Sequence, residues 1–499
     1  MHVSRRRILQ MGGLAAVWLT SGCATGPEGD GGDASGKKLI FASTAITNSL
    51  DPLVALSSVG STFCTQVYDP LVTLGEGGKV SPALATAWRQ VDELTVEFTL
   101  REGVKFHGGG VFDAQAVVGN VERLLSDKPE FASIRGEMGS LKGVEAVDAK
   151  TVRVTTDSPD PILLNRLTRL YIVDPSIFAG NPASTASGTG PFKVVGYKAG
   201  ESIDLEAFPG SWRRSSSLTK ARILAIPDTG TLTTALRSGD VDGVFGLPPA
   251  VSAQLSSFTV QATSAGSCAI LSMIPDVEPR LRDKDVRLAL NLAVDNEEFV
   301  KEGLSGFGEV PSGQLLQPGY TGYDPSLQGF AYDPDKARSL LADKDLKLDI
   351  ATTALFKQQA EITAGYLAKV GVKSEVVIQD LSTFVTSLLK TSKVPLLYWQ
   401  TDYFDLRDIA SVARFGPQPA GVQSHFEDEA YVELFAAAQE EMDPGKREET
   451  IRKMARRMNE EVGVVFLAWP KTVYVHSKKT DLKLTPSGNV SMAESKKSA

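Results

Sequence analysis

Residues 103–113 read Gly-Val-Lys-Phe-His-Gly-Gly-Gly-Val-Phe-Asp, three glycines behind a histidine. Such a run could cradle phosphate, hold a metal or only turn the chain. A phosphate cradle offers backbone N–H groups at a helix start and is followed by Lys-Ser/Thr; here Val111 and Phe112 follow. A metal site needs further histidine or cysteine at ligand spacing, and His107 has neither nearby. The turn is left: glycines supply positive φ, and Asp113 is placed to cap a helix from Ala114 to Leu125. His425 and His476 are equally isolated. No Gly-x-Ser-x-Gly elbow occurs, the nearest run, Gly303 to Gly308, being off register. These patterns predict no catalytic residue, no metal site and no cofactor.

The elements that would carry any site follow from periodicity and punctuation. Leu39–Ala42 reads as a buried strand, Asp51-Pro52 as a turn, and a helical stretch runs to about Tyr68. Leu71–Leu74 opens a hairpin at Gly75-Glu-Gly-Gly-Lys79. Thr95–Leu100 and Thr151–Thr155 alternate like half-buried strands, and Phe192–Val195 and Ser202–Glu206 like an antiparallel pair. Helices are expected at Leu232–Leu236, Val286–Val294, behind the Asp333-Pro334 cap, and at Phe356–Val370 before Gly371. Strands at Lys347–Ala351 and Lys373–Ile378 flank that last helix, a βαβ-like run. Glu427–Asn459 reads as mostly helical, and Val464–Trp469 as a strand ending before Pro470. The fold class is α/β.

The N-terminus reads as a targeting segment. Ser4-Arg-Arg-Arg-Ile-Leu-Gln10 resembles a twin-arginine export signal, and the apolar run Met11–Leu19 is too short for a permanent span. Leu19-Thr-Ser-Gly-Cys23 resembles a lipobox with Thr20 where leucine is usual. This implies a leader over 1–22, lipidation at Cys23 and a flexible Gly-rich tether over 23–36. Losing Arg5, Arg6 and Arg7 with that leader takes the formal charge from −8 to −11, a poor match for nucleic acid. Cys64 and Cys268 sit in apolar runs and are expected as buried thiols.

Several blocks carry a family resemblance. "GVKFHGGGVFDAQAVVGNVERLL" resembles a scaffold block of the extracellular solute-binding proteins of the peptide/nickel class, which serve ABC importers. It departs from the usual pattern at Gly108, Val111, Asp113, Gln115, Ala116 and Asn120. "VYDPLVTLGEGGKVSPALATAW", "GTGPFKVVGYKAGESIDLEAFPGSW", "IPDTGTLTTALRSGDVDGV", "DKDVRLALNLAVDNEEFV" and "GYDPSLQGFAYDPDKARSLL" are similar to further blocks of that family. The resemblance runs from Lys37 to about Pro470. It implies a two-lobed periplasmic-binding fold of the large type II cluster, joined by two chain crossings and closing by a hinge. Lobe I would comprise 37–266 plus 470–499, with an inserted subdomain at 79–187, and lobe II would comprise 267–469.

The resemblance also implies a site. Pro395 to Asp405 is an apolar strand running into aromatics and carboxylates. In peptide binders of this class the matching strand pairs with the peptide backbone, and a carboxylate after it takes the N-terminal ammonium. Asp402 falls at that place; the alternative is that it caps the next turn. Trp399, Tyr398, Gln400, Thr401, Tyr403 and Phe404 would line the pocket or pack in the core, about half of them facing each way. Asn48 and Ser49 would lie at the rim. Trp88, Trp212 and Trp469 are expected to pack, Arg407 and Arg414 to lie in surface pairs, and His425 is a lesser candidate to assist a chelated metal. The function implied is a lipid-anchored, monomeric binding component of an ABC importer for short peptides, on the outer face of the cytoplasmic membrane or in the periplasm. It would deliver to permease and ATPase subunits. An oligosaccharide, an opine-like compound or a nickel chelate remains the alternative ligand, and an exported hydrolase the remote alternative.

Overall fold

The computed structural model describes residues 38–55, 58–75, 78–213, 217–264, 266–401, 415, 418 and 421–498. The leader, Cys23 and the tether lie outside the described residues. Among the described residues, twelve strands share one mixed sheet, flanked by helices, with smaller sheets beside it. Ten of them run in the order Phe192–Lys198, Ser202–Ala207, Lys220–Ala225, Lys38–Ser43, Gly243–Phe245, Val465–His476, Ala269–Met273, Leu396–Gln400, Ile350–Thr353 and Val376–Gln379, and the other two, Thr259–Ser264 and Gly308–Glu309, also pair with Val465–His476.

The strand Val465–His476 is common to both halves of this sheet. Its first residues pair antiparallel with Ala269–Leu271, and its last pair with Thr259–Ser264 and Gly243–Phe245. The sequence reading ended this strand at Trp469. In the structure it continues through Pro470, because Pro470 sits at the switch between partners and faces Gly308 of the short strand Gly308–Glu309. A proline lacks the ladder donor and is tolerated where pairing changes. The chain thus passes between the halves twice, before Cys268 and around Pro470. Ser264 Oγ donates to Gln317 Oε1, Gln317 Nε2 donates 2.7 Å to the Ser267 carbonyl, and Lys471 pairs with Glu309 at 2.8 Å.

Each half has its own core. Leu39, Phe41, Phe63, Tyr68 and Ile223 centre one cluster; Leu271, Leu290, Phe299, Leu367 and Leu396 centre another. A four-stranded antiparallel sheet, in the order Ala85–Asp92, Thr95–Leu100, Thr151–Thr156, Leu141–Asp148, stands apart with a third core. Its alternation sends Val96, Phe98, Val152 and Val154 inward against Val117, Val121 and Leu124 of the helix Ala114–Leu125. On the other face Glu97 meets Arg89 and Arg153, whose hydrogen bonds hold its carboxyl below the usual range.

The glycine triplet is a turn. Gly109 takes φ +91°, Phe106 N–H donates to Gly110 O at 2.8 Å, and Asp113 accepts from Ala116 N–H at 3.0 Å. His107 fastens this turn to the 188–190 segment: its Nε2 lies 3.0 Å from Gly190 O, and its Nδ1 accepts from Gly188 N–H at 3.3 Å. Gly188 and Gly190 lie so close to the end of the helix Ser58–Val67 that a Cβ would sit 2.1 Å from Val67 O and 2.4 Å from Gln66 O respectively. The expected helix over 427–459 is two, Glu429–Glu440 and Pro444–Glu460, the second capped by Asp443 with Pro444 in its first turn. Cys64 and Cys268 are buried free thiols, and burial pushes both up.

Candidate functional site

The strand Leu396–Gln400 pairs on one side with Ala269–Met273 and on the other with Ile350–Thr353. Its alternation divides the residues singled out from sequence. Tyr398 has no exposed surface; it packs in the second half's core, 5.7 Å from the Phe356 ring, with burial pushing its phenol up. Thr401 is also fully buried. Its N–H donates 2.9 Å to Cys268 O and its hydroxyl accepts from Cys268 N–H at 2.8 Å, which extends the ladder by one residue. Trp399 points to the face opposite Tyr398, half-buried. Its indole N–H donates to Ser272 Oγ at 2.8 Å, and its ring lies 6.3 Å from both Phe415 and His425. Gln400 is half-buried beside the Tyr398 hydroxyl. Asp402, Tyr403, Phe404, Arg407 and Arg414 lie outside the described residues.

Asn48 is exposed, next to Gly200. Ser49 is buried and spent on the turn, its Oγ accepting from Asp51 N–H at 3.1 Å. Asp51 in turn is ion-paired with Arg123. Trp212 donates to Asp69 at 2.9 Å under the Arg101 guanidinium, a packing role. His425 is enclosed by Trp399 and Phe415. Among the described residues no cluster of three or more His, Cys, Asp or Glu could hold a metal.

A crevice of ≈ 880 Å³ is lined from both sides of the molecule. One wall is Gly78, Lys79 and Val80, at the end of the hairpin Val72–Leu74/Val80–Pro82, with Asn165 of the helix Leu163–Leu167. The other is the loop Gly319–Pro325 with Pro444, Glu448 and Arg452 of the helix Pro444–Glu460.

This second wall is held firmly. Gly322, at φ +81°, lets the loop approach the helix where a Cβ would be 2.2 Å from Ile451 Cγ2. Asp324 is buried and accepts from Arg456 Nε at 2.6 Å and from the Ser326 hydroxyl at 2.6 Å; these bonds, the hydroxyl's first, hold its carboxyl below the usual range. Arg452 donates to Glu448 at 2.6 Å and to Tyr323 O at 3.4 Å. Tyr320 packs in the aromatic cluster shared by Phe415, Trp469 and, at its edge, Trp399, and Tyr323 lies 6.3 Å from Trp469. The wall therefore joins the crevice to the crossing strand and to Trp399. Sequence reading singled out none of Lys79, Asn165, Thr321, Glu448 or Arg452. The one available signal was the pair Tyr320 and Tyr323 set among glycines and prolines.

Such a site can bind and enclose. It offers tyrosines, a hydroxyl, an amide and charges on two facing walls, with no nucleophile–base pair among its described lining residues.

The model of bacterial extracellular solute-binding proteins, family 5, matches residues 79–416, and the chain belongs to that family. Proteins of this family bind small solutes and work with ABC permeases. Glutathione-binding protein GsiB of Salmonella paratyphi A is 26% identical over 384 residues, covering 74% of this chain and 73% of the relative. Among solved structures, NikA from Brucella suis in complex with Fe(III)-EDTA superposes with a TM-score of 0.81 at 22% identity, over 92% of this chain and 99% of the other. DppA from Helicobacter pylori in complex with peptide STSA superposes at 0.75 with 24% identity, over 93% and 98%. Both share the periplasmic-binding fold. No helix among the described residues is long and apolar enough to cross a membrane.

Proposed function

We propose that this protein is the exported, lipid-anchored receptor of an ABC importer, capturing short peptides between two lobes and handing them to the permease without breaking a bond. The observation that supports this reading is the crevice walled by residues from both sides of the central sheet, which among the described residues are joined before Cys268 and around Pro470. In this reading lobe I is 37–266 plus 470–499 with 79–187 inserted, and lobe II is 267–469. Cleavage before Cys23 and acylation there hold the monomer at the outer face of the cytoplasmic membrane or in the periplasm. Trp399, with Gln400, flanks the ligand, and Asp402 takes the peptide's ammonium. A desolvated carboxylate–ammonium pair of this kind is strong when both groups are also hydrogen-bonded.

The test is native mass spectrometry of protein purified from its host. A co-purifying peptide is expected, and a sugar or metal chelate in its place defeats the peptide reading. For the ammonium contact, Asp402→Ala should weaken calorimetric binding of tri-alanine at least tenfold; unchanged affinity removes that assignment.

A further inference from the structure

Among the described residues, three ionic side chains line the crevice: Lys79 from one wall, Glu448 and Arg452 from the other. Glu448 is already engaged, its Oε1 receiving Arg452 Nη2 at 2.6 Å within one helix. Lys79 makes no side-chain hydrogen bond or ion pair among the described residues and is exposed, while its carbonyl accepts from Gly75 N–H and from the Ser81 hydroxyl in the hairpin turn. Arg452 Nη1 also has no partner among the described residues. The described lining therefore carries two cations against one carboxylate, in a chain whose overall charge is negative. The other polar side chains of that lining, the Asn165 amide and the Tyr320, Thr321 and Tyr323 hydroxyls, can donate as well as accept.

Closing the walls would take the unpaired Lys79 ammonium out of water against a wall whose Arg452 guanidinium is already paired with Glu448. An unpaired ion in a drying crevice carries a desolvation cost that opposes closure. An anion there offsets that cost, since a carboxylate accepts from ammonium and guanidinium together. We propose that Lys79, with Arg452 across the crevice, is the receptor for a carboxylate of the solute, so that the protein selects acidic solutes over neutral and basic ones. This rests on the crevice being the capture site and names the charge class it takes. The competing arrangement, Lys79 closing directly on Glu448 with no solute charge involved, makes the opposite forecast for selectivity.

The experiment is calorimetry on the full exported chain with Ala-Glu-Ala, Ala-Ala-Ala, Ala-Lys-Ala, C-terminally amidated Ala-Ala-Ala, and succinate and citrate as anions that are not peptides. The expected order is Ala-Glu-Ala, Ala-Ala-Ala, then Ala-Lys-Ala and the amide, with the amide at least tenfold weaker than the free acid. Lys79→Gln should collapse that tenfold gap to less than threefold, and Lys79→Arg should retain it. Lys79 is exposed, so an unchanged melting temperature is expected for both variants. If the amide binds as well as the acid, or Lys79→Gln leaves the gap intact, the assignment is overturned while the peptide reading stands. If no peptide binds but succinate or citrate does, and Lys79→Gln weakens it tenfold, the peptide reading falls and the assignment stands. If no anion in the panel binds, both fall.

Discussion

Two aromatic-rich segments meet the same cluster of rings and have opposite fates. Leu396–Thr401 turns its bonds and its tyrosine inward: Tyr398 is fully buried, and Thr401 is tied to Cys268 by backbone and hydroxyl. The loop Gly319–Pro325 anchors itself through Gly322 and Asp324 and leaves Thr321 and Tyr323 half-exposed to the crevice. Aromatic content is alike in the two. What separates them is where the backbone donors and acceptors are used. A strand in mid-sheet spends them on its neighbours and fixes each side chain by alternation, whereas a loop fastened at two points can spare side chains for a ligand.

That contrast can be broken most forcefully at Tyr398. Tyr398→Ala should cost about 3–5 kcal/mol of stability, the range for emptying an aromatic site in a packed core, measured by urea unfolding. A loss near zero would mean the ring is not core. Thr401→Val should cost about 1–3 kcal/mol by stranding the buried Cys268 N–H, with peptide affinity unchanged in calorimetry of the folded fraction. Beneath both segments the Tyr431 hydroxyl is buried with no partner among the described residues, and burial pushes its phenol up. Tyr431→Phe should therefore raise stability by about 1 kcal/mol, relieving an unsatisfied polar group; a destabilised variant would reveal a hidden partner. Thr321→Val should move stability by less than about 0.5 kcal/mol, as surface changes do, yet alter ligand affinity.

The smallest effect is a pH dependence outside both segments. Burial holds the His107 imidazole below its usual range, and the acceptor role of its Nδ1 requires the neutral ring. The unfolded chain then binds the extra proton more readily, so this group's contribution is complete above the unfolded pKa of about 6.5 and is lost as pH falls below it towards the folded value. His107→Gln should flatten the fall in melting temperature over that acidic window, and an unchanged slope would point to the carboxylates instead.

Much of the fold was legible because its signals are local. The Asp113 and Asp333 caps and the alternation over 95–100 and 151–155 each act within a few residues, whereas the equally local Asp443-Pro444 cap is missed by reading 427–459 as one helical run. The same locality explains the misjudged end at Trp469. Proline stops an ordinary strand, and only the pairing switch at Gly308 shows why Pro470 does not. The site was less legible. Alternation over 396–401 says that neighbours face opposite ways, but not that Tyr398 takes the core side, since that depends on Phe356. The crevice draws on residues near 79, 165, 321 and 450, so no contiguous motif exists to be read. Lys79 looks like any hairpin lysine until the opposite wall is in place.

The shared strand Val465–His476 gives the molecule a torsion bar. Were one side to flex against the other at Trp469–Lys471, the proline at its middle would have no amide to surrender, and opening would rupture no ladder bond from it. A fluorophore on the Thr480–Lys497 hairpin, at the far end of this bar, would register motion of the opposite side without touching the solute.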